Sequence, residues 1–202
     1  MVKQNKFIRA SNKRIVNDKV LIICSGKTEL EYFNYFKKYF QMELQNVSIK
    51  ILTSKRNISM ALVEEAIKLR VNYFEIWTVF DKDIDPEFDK AIKKAINNGI
   101  KCAFSNVAFE YWLLLHLADK SGVLSTADLN RELSRLLGYK YDKNKNMGKV
   151  CKNIMRYIEE AEKRARIRHE EHKKDPSKSY SDWCSCSTVY ELTKRLREWS
   201  EL

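Results

Sequence analysis

Hydrophobic and polar positions change their period several times along this chain, and each change marks an element. Lys19–Cys24, KVLIIC, is a continuous apolar run and predicts a strand buried on both faces. SGKTE follows, and Tyr32, Phe36, Tyr39 and Phe40 then recur at helical spacing. Ser25 or Thr28 is expected to cap that helix, with Glu29 near its positive end. Val47–Leu52 alternates as a second strand, and Ile58, Leu62, Ala66 and Leu69 trace an amphipathic helix over 58–69. Tyr73–Phe80 is a dense strand-forming run. Pro86–Asn98 reads as a helix with Phe88, Ile92 and Ile96 on one face and Gly99 as its stop. KCAFS at Lys101–Ser105 is a short fourth strand.

Strands alternating with helices predict an α/β, Rossmann-like fold: a parallel four-stranded sheet flanked by helices with right-handed crossovers. In such sheets sites lie beyond the carboxyl ends of the strands. From Asn106 the chain becomes mainly helical. NVAFEYWLLLHLADK is strongly apolar, and Ser125-Thr126-Ala127-Asp128 opens a capped helix to Leu137. A lysine-rich stretch, Tyr139–Lys152, leads into one long helix over Lys149–Lys174. A loop at Asp175–Asp182 precedes a last helix, Ser187–Trp199, capped by Ser187 or Thr188 and burying Val189, Leu192, Leu196 and Trp199. The organisation is then a basic tail over 1–18, an α/β core over 19–118 and a helical extension over 119–202.

Composition narrows the classes. Hydrophobic content of 44% with 5 glycines and 2 prolines fits a folded core rather than a disordered chain. No apolar run reaches transmembrane length and the start lacks a signal-peptide core, so a soluble cytoplasmic protein is expected. Five cysteines without a CxxC pair disfavour a disulfide scaffold or a structural zinc site, and His169 and His172 lack an evident third ligand. The net charge of +11 is an electrostatic footprint for nucleic acid or another acidic surface. Lys27, Lys82, Arg164, Arg166 and Arg168 are the candidate phosphate contacts.

The sharpest chemistry lies at the end of the third strand. Asp81, Asp83 and Asp85 follow at spacing two, so an extended backbone would turn all three carboxylates to one side. Carboxylates so close repel unless a cation such as Mg2+ relieves them. The competing reading is an Asp-rich turn that caps the next helix, with Pro86 at a first helical position. Glu110 is either a helix-start carboxylate or a further member of the acidic cluster. His116 is either a satisfied core histidine or an assistant to the chemistry. The triplet Gly26-Lys27-Thr28 is not a triphosphate loop, because Leu21 stands where that motif needs glycine.

Taken in order, ICSGKTELEYF, VFDKDID, SNVAFEYWLLLHL and CSTVYELTKRL resemble the RloB-like proteins, a Toprim-related group associated with bacterial anti-phage defence. The resemblance covers roughly residues 19–199 and implies a Toprim-like fold. It implies that Asp81 and Asp83 are the DxD pair and that Asn106, Phe109, Glu110, Trp112 and His116 form a second signature block. Ser25-Gly26 stands where many Toprim chains carry Glu-Gly, and Glu29 is the nearest carboxylate. The implied activity is Mg2+- or Mn2+-dependent phosphodiester cleavage of RNA or DNA. Asp81, Asp83, Asp85 and Glu29 would hold the metal; Glu29, Asp81, Asp83, Glu110 and His116 would serve the chemistry. An ATPase partner of AAA or ABC type is implied, and a homo-oligomer is left open. The alternative is a catalytically inactive Toprim-fold subunit that binds nucleic acid or protein.

Overall fold

The computed structural model describes residues 20–42, 47–51 and 58–200. Its centre is a sheet in the order β2-β1-β3-β4-β5, with β1 at Val20–Cys24, β2 at Val47–Ile51, β3 at Glu75–Asp81, β4 at Lys101–Asn106 and β5 at Cys186–Ser187. The first four strands are parallel, as the alternating pattern predicts. The fifth was not legible. It is two residues long and antiparallel to β4, pairing Ser105 with Ser187 and Asn106 with Cys186.

Register explains the two-sided burial. In β1, Val20, Ile22 and Cys24 enter one apolar cluster while Leu21 and Ile23 enter the other. In β3, Trp77 and Val79 join the first, and Ile76 and Phe80 the second. Successive side chains point to opposite faces, so helices must cover both. The second face is covered by α2 (Ile58–Leu69) and α3 (Phe88–Asn97), through Leu62, Val63, Phe88 and Ile92. The first is covered by α1 (Lys27–Tyr39) and α4 (Phe109–Leu117), and by α5 (Thr126–Leu137), α6 (Met147–Ile154), α7 (Ile158–Lys173) and α8 (Val189–Ser200). The later helices thus share one core with β1 and α1. Fully burying a side chain such as Leu114 or Leu133 contributes about 1.5–3 kcal/mol.

Local signals succeeded where side chains close their own hydrogen bonds. Ser125 and Asp128 form the expected reciprocal capping box, with the Asp128 N–H donating to Ser125 Oγ at 3.1 Å. Two expectations need correction. Neither Ser25 nor Thr28 caps α1: Gly26 is the N-cap and no side chain caps it. The single helix over 149–174 is two helices, α6 and α7, separated by a 3-10 turn at Met155–Tyr157. No glycine or proline marks that break; Ile154, Met155 and Ile158 are all buried there, so packing dictates it. The basic tail over 1–18 lies outside the described residues. Among the described residues, no helix is long and apolar enough to cross a membrane.

Candidate functional site

The parallel pairing makes β1 and β3 neighbours, with Cys24 beside Val79, so the loops after both strands open onto one edge. The Ser25 N–H donates to the Val79 carbonyl at 2.9 Å and locks the two exits together. A cleft of about 690 Å³ lies there. Ser25, Gly26 and Glu29 line it from the first loop and helix, Asp81 and Asp83 from the third strand, and Glu110 from α4.

Each carboxylate is held differently. Glu29 sits in the first turn of α1 and is only 4% exposed. The Ser25 hydroxyl donates to its Oε1 at 2.8 Å. Its Oε2 lies 2.7 Å from where a Cβ on residue 26 would stand, so the absence of a side chain at Gly26 makes room for it. Glu29 therefore reaches back one helical turn to the end of β1. Burial pushes its carboxyl above the usual range, and Glu110 adds to the shift, while Ser25 and Lys143 oppose it.

Asp81 ends β3 and accepts from the Phe109 N–H at the start of α4, a position that favours negative charge. Burial still pushes its carboxyl well above the usual range, helped by Glu29 and Glu110. Its Oδ1 is out of solvent and has no hydrogen-bond partner. Glu110 is 4% exposed, and its Oε1 accepts from the Tyr141 hydroxyl at 3.1 Å. Asp83 is exposed, with φ of 35° and its N–H bonded to the Val107 carbonyl at 2.9 Å. The left-handed turn, one that Asp tolerates better than most residues, ends the extended backbone there. The even spacing of the three aspartates therefore ends at Asp83, although all three border the cleft.

Asp85 is a cap. Its Oδ2 accepts from the Ser59 N–H at 3.1 Å and the Ser59 hydroxyl at 2.5 Å, and its Oδ1 from the Glu87 N–H at 2.9 Å. The capping alternative is thus met in part: Asp85 caps the preceding helix α2, while α3 begins at Phe88 with Glu87 as an N-cap that no side chain caps and with Pro86 outside it, and Asp85 also borders the cleft.

A family model described as RloB-like protein matches residues 20–196. The chain belongs to the RloB-like family. The match runs from β1 into α8 and takes in every residue that lines the cleft. No curated protein and no solved structure matches the chain.

Other expected site residues of this RloB-like chain lie elsewhere. His116 is 1% exposed, with Nδ1 at 3.0 Å from the Trp112 carbonyl and Nε2 at 3.1 Å from the Tyr32 hydroxyl. Burial lowers its pKa to about 4, so it is a neutral core imidazole outside the cleft lining. Lys27 borders the cleft and pairs with Glu31 at 3.4 Å, while Lys82 does not line it. Arg164 donates to the Leu115 carbonyl at 2.6 Å, and Arg168 bridges Asp119 and Glu171 at 3.0 and 3.1 Å. Arg166 lines a different cleft.

The sequence pattern missed Tyr141, Lys143 and Asn144. Asp142 and Asn146 fold their segment into a tight turn through Asn144 N–H to Asp142 Oδ1 at 3.0 Å and Asp142 N–H to Asn146 Oδ1 at 3.1 Å. The turn sets Lys143 and Asn144 against the cleft. The Asn/Asp spacing in YDKNKN was the available signal for a turn, but nothing in it names the partner, Glu110.

The donor chemistry fits a hard divalent cation. It is all oxygen, it holds an unsatisfied buried acceptor, and none of Glu29, Asp81, Asp83 or Glu110 makes an ion pair among the described residues. The spacing is less prepared. Among the described residues, no three His, Cys, Asp or Glu side chains stand close enough to form a ready ligand shell.

Proposed function

We propose that this RloB-like protein is a Toprim-like phosphodiesterase that cleaves RNA or DNA with Mg2+ or Mn2+. The observation that carries the reading is the buried, unpartnered Oδ1 of Asp81 within electrostatic reach of Glu29 and Glu110. A buried acceptor without a donor costs about 1–3 kcal/mol, and a cation relieves both that cost and the repulsion among the carboxylates. Asp81 and Glu110 would hold the ion, with Asp83 at the open side and Glu29 beside it. When bound, such an ion polarises a phosphate and acidifies a coordinated water.

The chain's own groups then divide the work. Ser25 fixes the orientation of Glu29, whose raised proton affinity suits a general base. Tyr141 holds Glu110, and Lys143 offers positive charge to a phosphate entering the cleft. Glu29 supplies the carboxylate that Ser25 does not. Family membership supports a role as the toxic effector of a phage-defence system, restrained or triggered by an ATPase partner.

Labelled RNA and DNA should be cut in Mg2+ or Mn2+, and Asp81→Asn or Glu29→Gln should slow cutting by about 10³-fold or more, roughly 4 kcal/mol of transition-state stabilisation. Cleavage that survives Asp81→Asn or a chelator would falsify this mechanism. Affinity for nucleic acid without product under any metal, unchanged in Asp81→Asn, would instead support the inactive binding subunit.

A further inference from the structure

A second, larger cleft of about 1210 Å³ shares no lining residue with the first. It exists because β5 pairs only with Ser105 and Asn106, leaving the earlier part of β4 to be flanked by α7, α8 and the loop before β5. Seven lysine and arginine side chains line it against three carboxylates, an excess of four positive charges. Lys93, Arg166 and Lys194 make no salt bridge among the described residues. One buried donor also lacks an acceptor: Trp183 Nε1, on a side chain 7% exposed that lines this cleft. An indole nitrogen only donates, so what it lacks is an acceptor. Arg195, also in the lining, is held by ion pairs to Glu75 and Glu198 at 3.7 Å.

We propose that this cleft is a binding site for a nucleic-acid strand, held through its phosphates and separate from the carboxylate cleft. Phosphate oxygens only accept and carry the charge that the excess cations oppose. The volume exceeds the roughly 300–1,000 Å³ usual for small-ligand pockets, which suits an extended chain. Trp77, Phe104 and Trp183 are buried, so their faces are not platforms for bases; the half-buried Tyr180 offers a partial one, and recognition runs mainly through phosphates. The inference stands whether or not the carboxylate cleft is catalytic.

Fluorescence anisotropy with a labelled single strand of about 20 nucleotides, in a chelator, tests it without any metal-dependent step. The full chain should bind with an affinity that falls steeply with salt. The combined variant Lys93→Glu, Arg166→Glu, Lys194→Glu should bind at least tenfold more weakly, with a salt slope smaller by about 2, given about 0.7 per phosphate contact. Lys93→Arg, Arg166→Lys, Lys194→Arg should keep the affinity within a few-fold, which separates charge from folding. Unchanged binding in the glutamate variant overturns the proposal. So does displacement by poly-glutamate as effective as by unlabelled strand, which would make the partner an acidic protein, or full displacement by ATP alone, which would make the cleft a mononucleotide pocket.

Discussion

Beyond β1 and β3 the protein keeps an acceptor, Asp81 Oδ1, with no donor; beside β4 it keeps a donor, Trp183 Nε1, with no acceptor, among lysine and arginine side chains that outnumber the carboxylates. The two clefts are complementary in charge and in what each leaves unsatisfied. The first gathers carboxylates from three separate elements and buries them; the second gathers cations around a sheet edge that β5 is too short to cover. Unsatisfied groups of opposite kind predict ligands of opposite charge. The comparison breaks if either cleft can be altered without a consequence of the matching sign.

After loss of Asp81 or Glu29 themselves, the largest effect is expected from a residue with no side chain. Gly26→Ala places a methyl 2.7 Å from Glu29 Oε2, and the carboxylate must move. The backbone there has φ of −143°, which alanine adopts freely, and alanine at an N-cap is worse than glycine by up to about 1 kcal/mol. Cleavage should fall about 100-fold, near 2.7 kcal/mol, while Tm drops by no more than roughly 2–4 °C. An unaffected rate would remove Glu29 from the reacting site.

Next comes the energetic price of assembling the acidic cleft. Asp81 has a folded pKa raised by burial, Glu29 and Glu110, so its ionised form favours unfolding. Its contribution to stability is fully present below the unfolded value near pH 4 and is lost as pH rises through the folded value. Asp81→Asn should therefore raise the Tm of the metal-free protein at pH 8 and change it little at pH 4. Added Mg2+ should raise the Tm of the wild type alone. A variant less stable than wild type at pH 8 would mean that the Asp81 charge is already satisfied.

How much of this was legible follows from where the determining contacts lie. The four parallel strands were readable because runs such as VLIIC and EIWTVF are dense in strand formers and bounded by polar residues. The convergence of Glu29 with Asp81 followed only conditionally, because the order β2-β1-β3 is a property of the sheet and not of either loop. Tyr141 pairs with Glu110 across 31 positions, and β5 pairs with β4 across about 80; no local period encodes either. His116 looked chemical because imidazole among leucines needs partners, and it found them in Tyr32 and Trp112. The basic arginines of α7 were grouped by sequence proximity, but helical geometry sends Arg164 to the Leu115 carbonyl and Arg166 to the second cleft.

The smallest predicted effect concerns Asp85, which sequence spacing places with Asp81 and Asp83. Spacing two aligns side chains only while the backbone stays extended, and Asp83 at φ of 35° ends that. Asp85 then turns to the start of α2 through Ser59 and to the approach of α3 through Glu87. Asp85→Ala removes these capping bonds and should cost about 1 kcal/mol, lowering Tm by roughly 2–4 °C. Metal affinity, read by calorimetric titration of Mn2+, should stay within about twofold of wild type once folding is accounted for. A tenfold loss of affinity at unchanged Tm would return Asp85 to the ligand set and extend the acidic cleft outward along the whole turn. The expected result instead confines that cleft to the carboxylates which β1, β3 and α4 bring together, and leaves the outer end of the turn to hold α2 against α3.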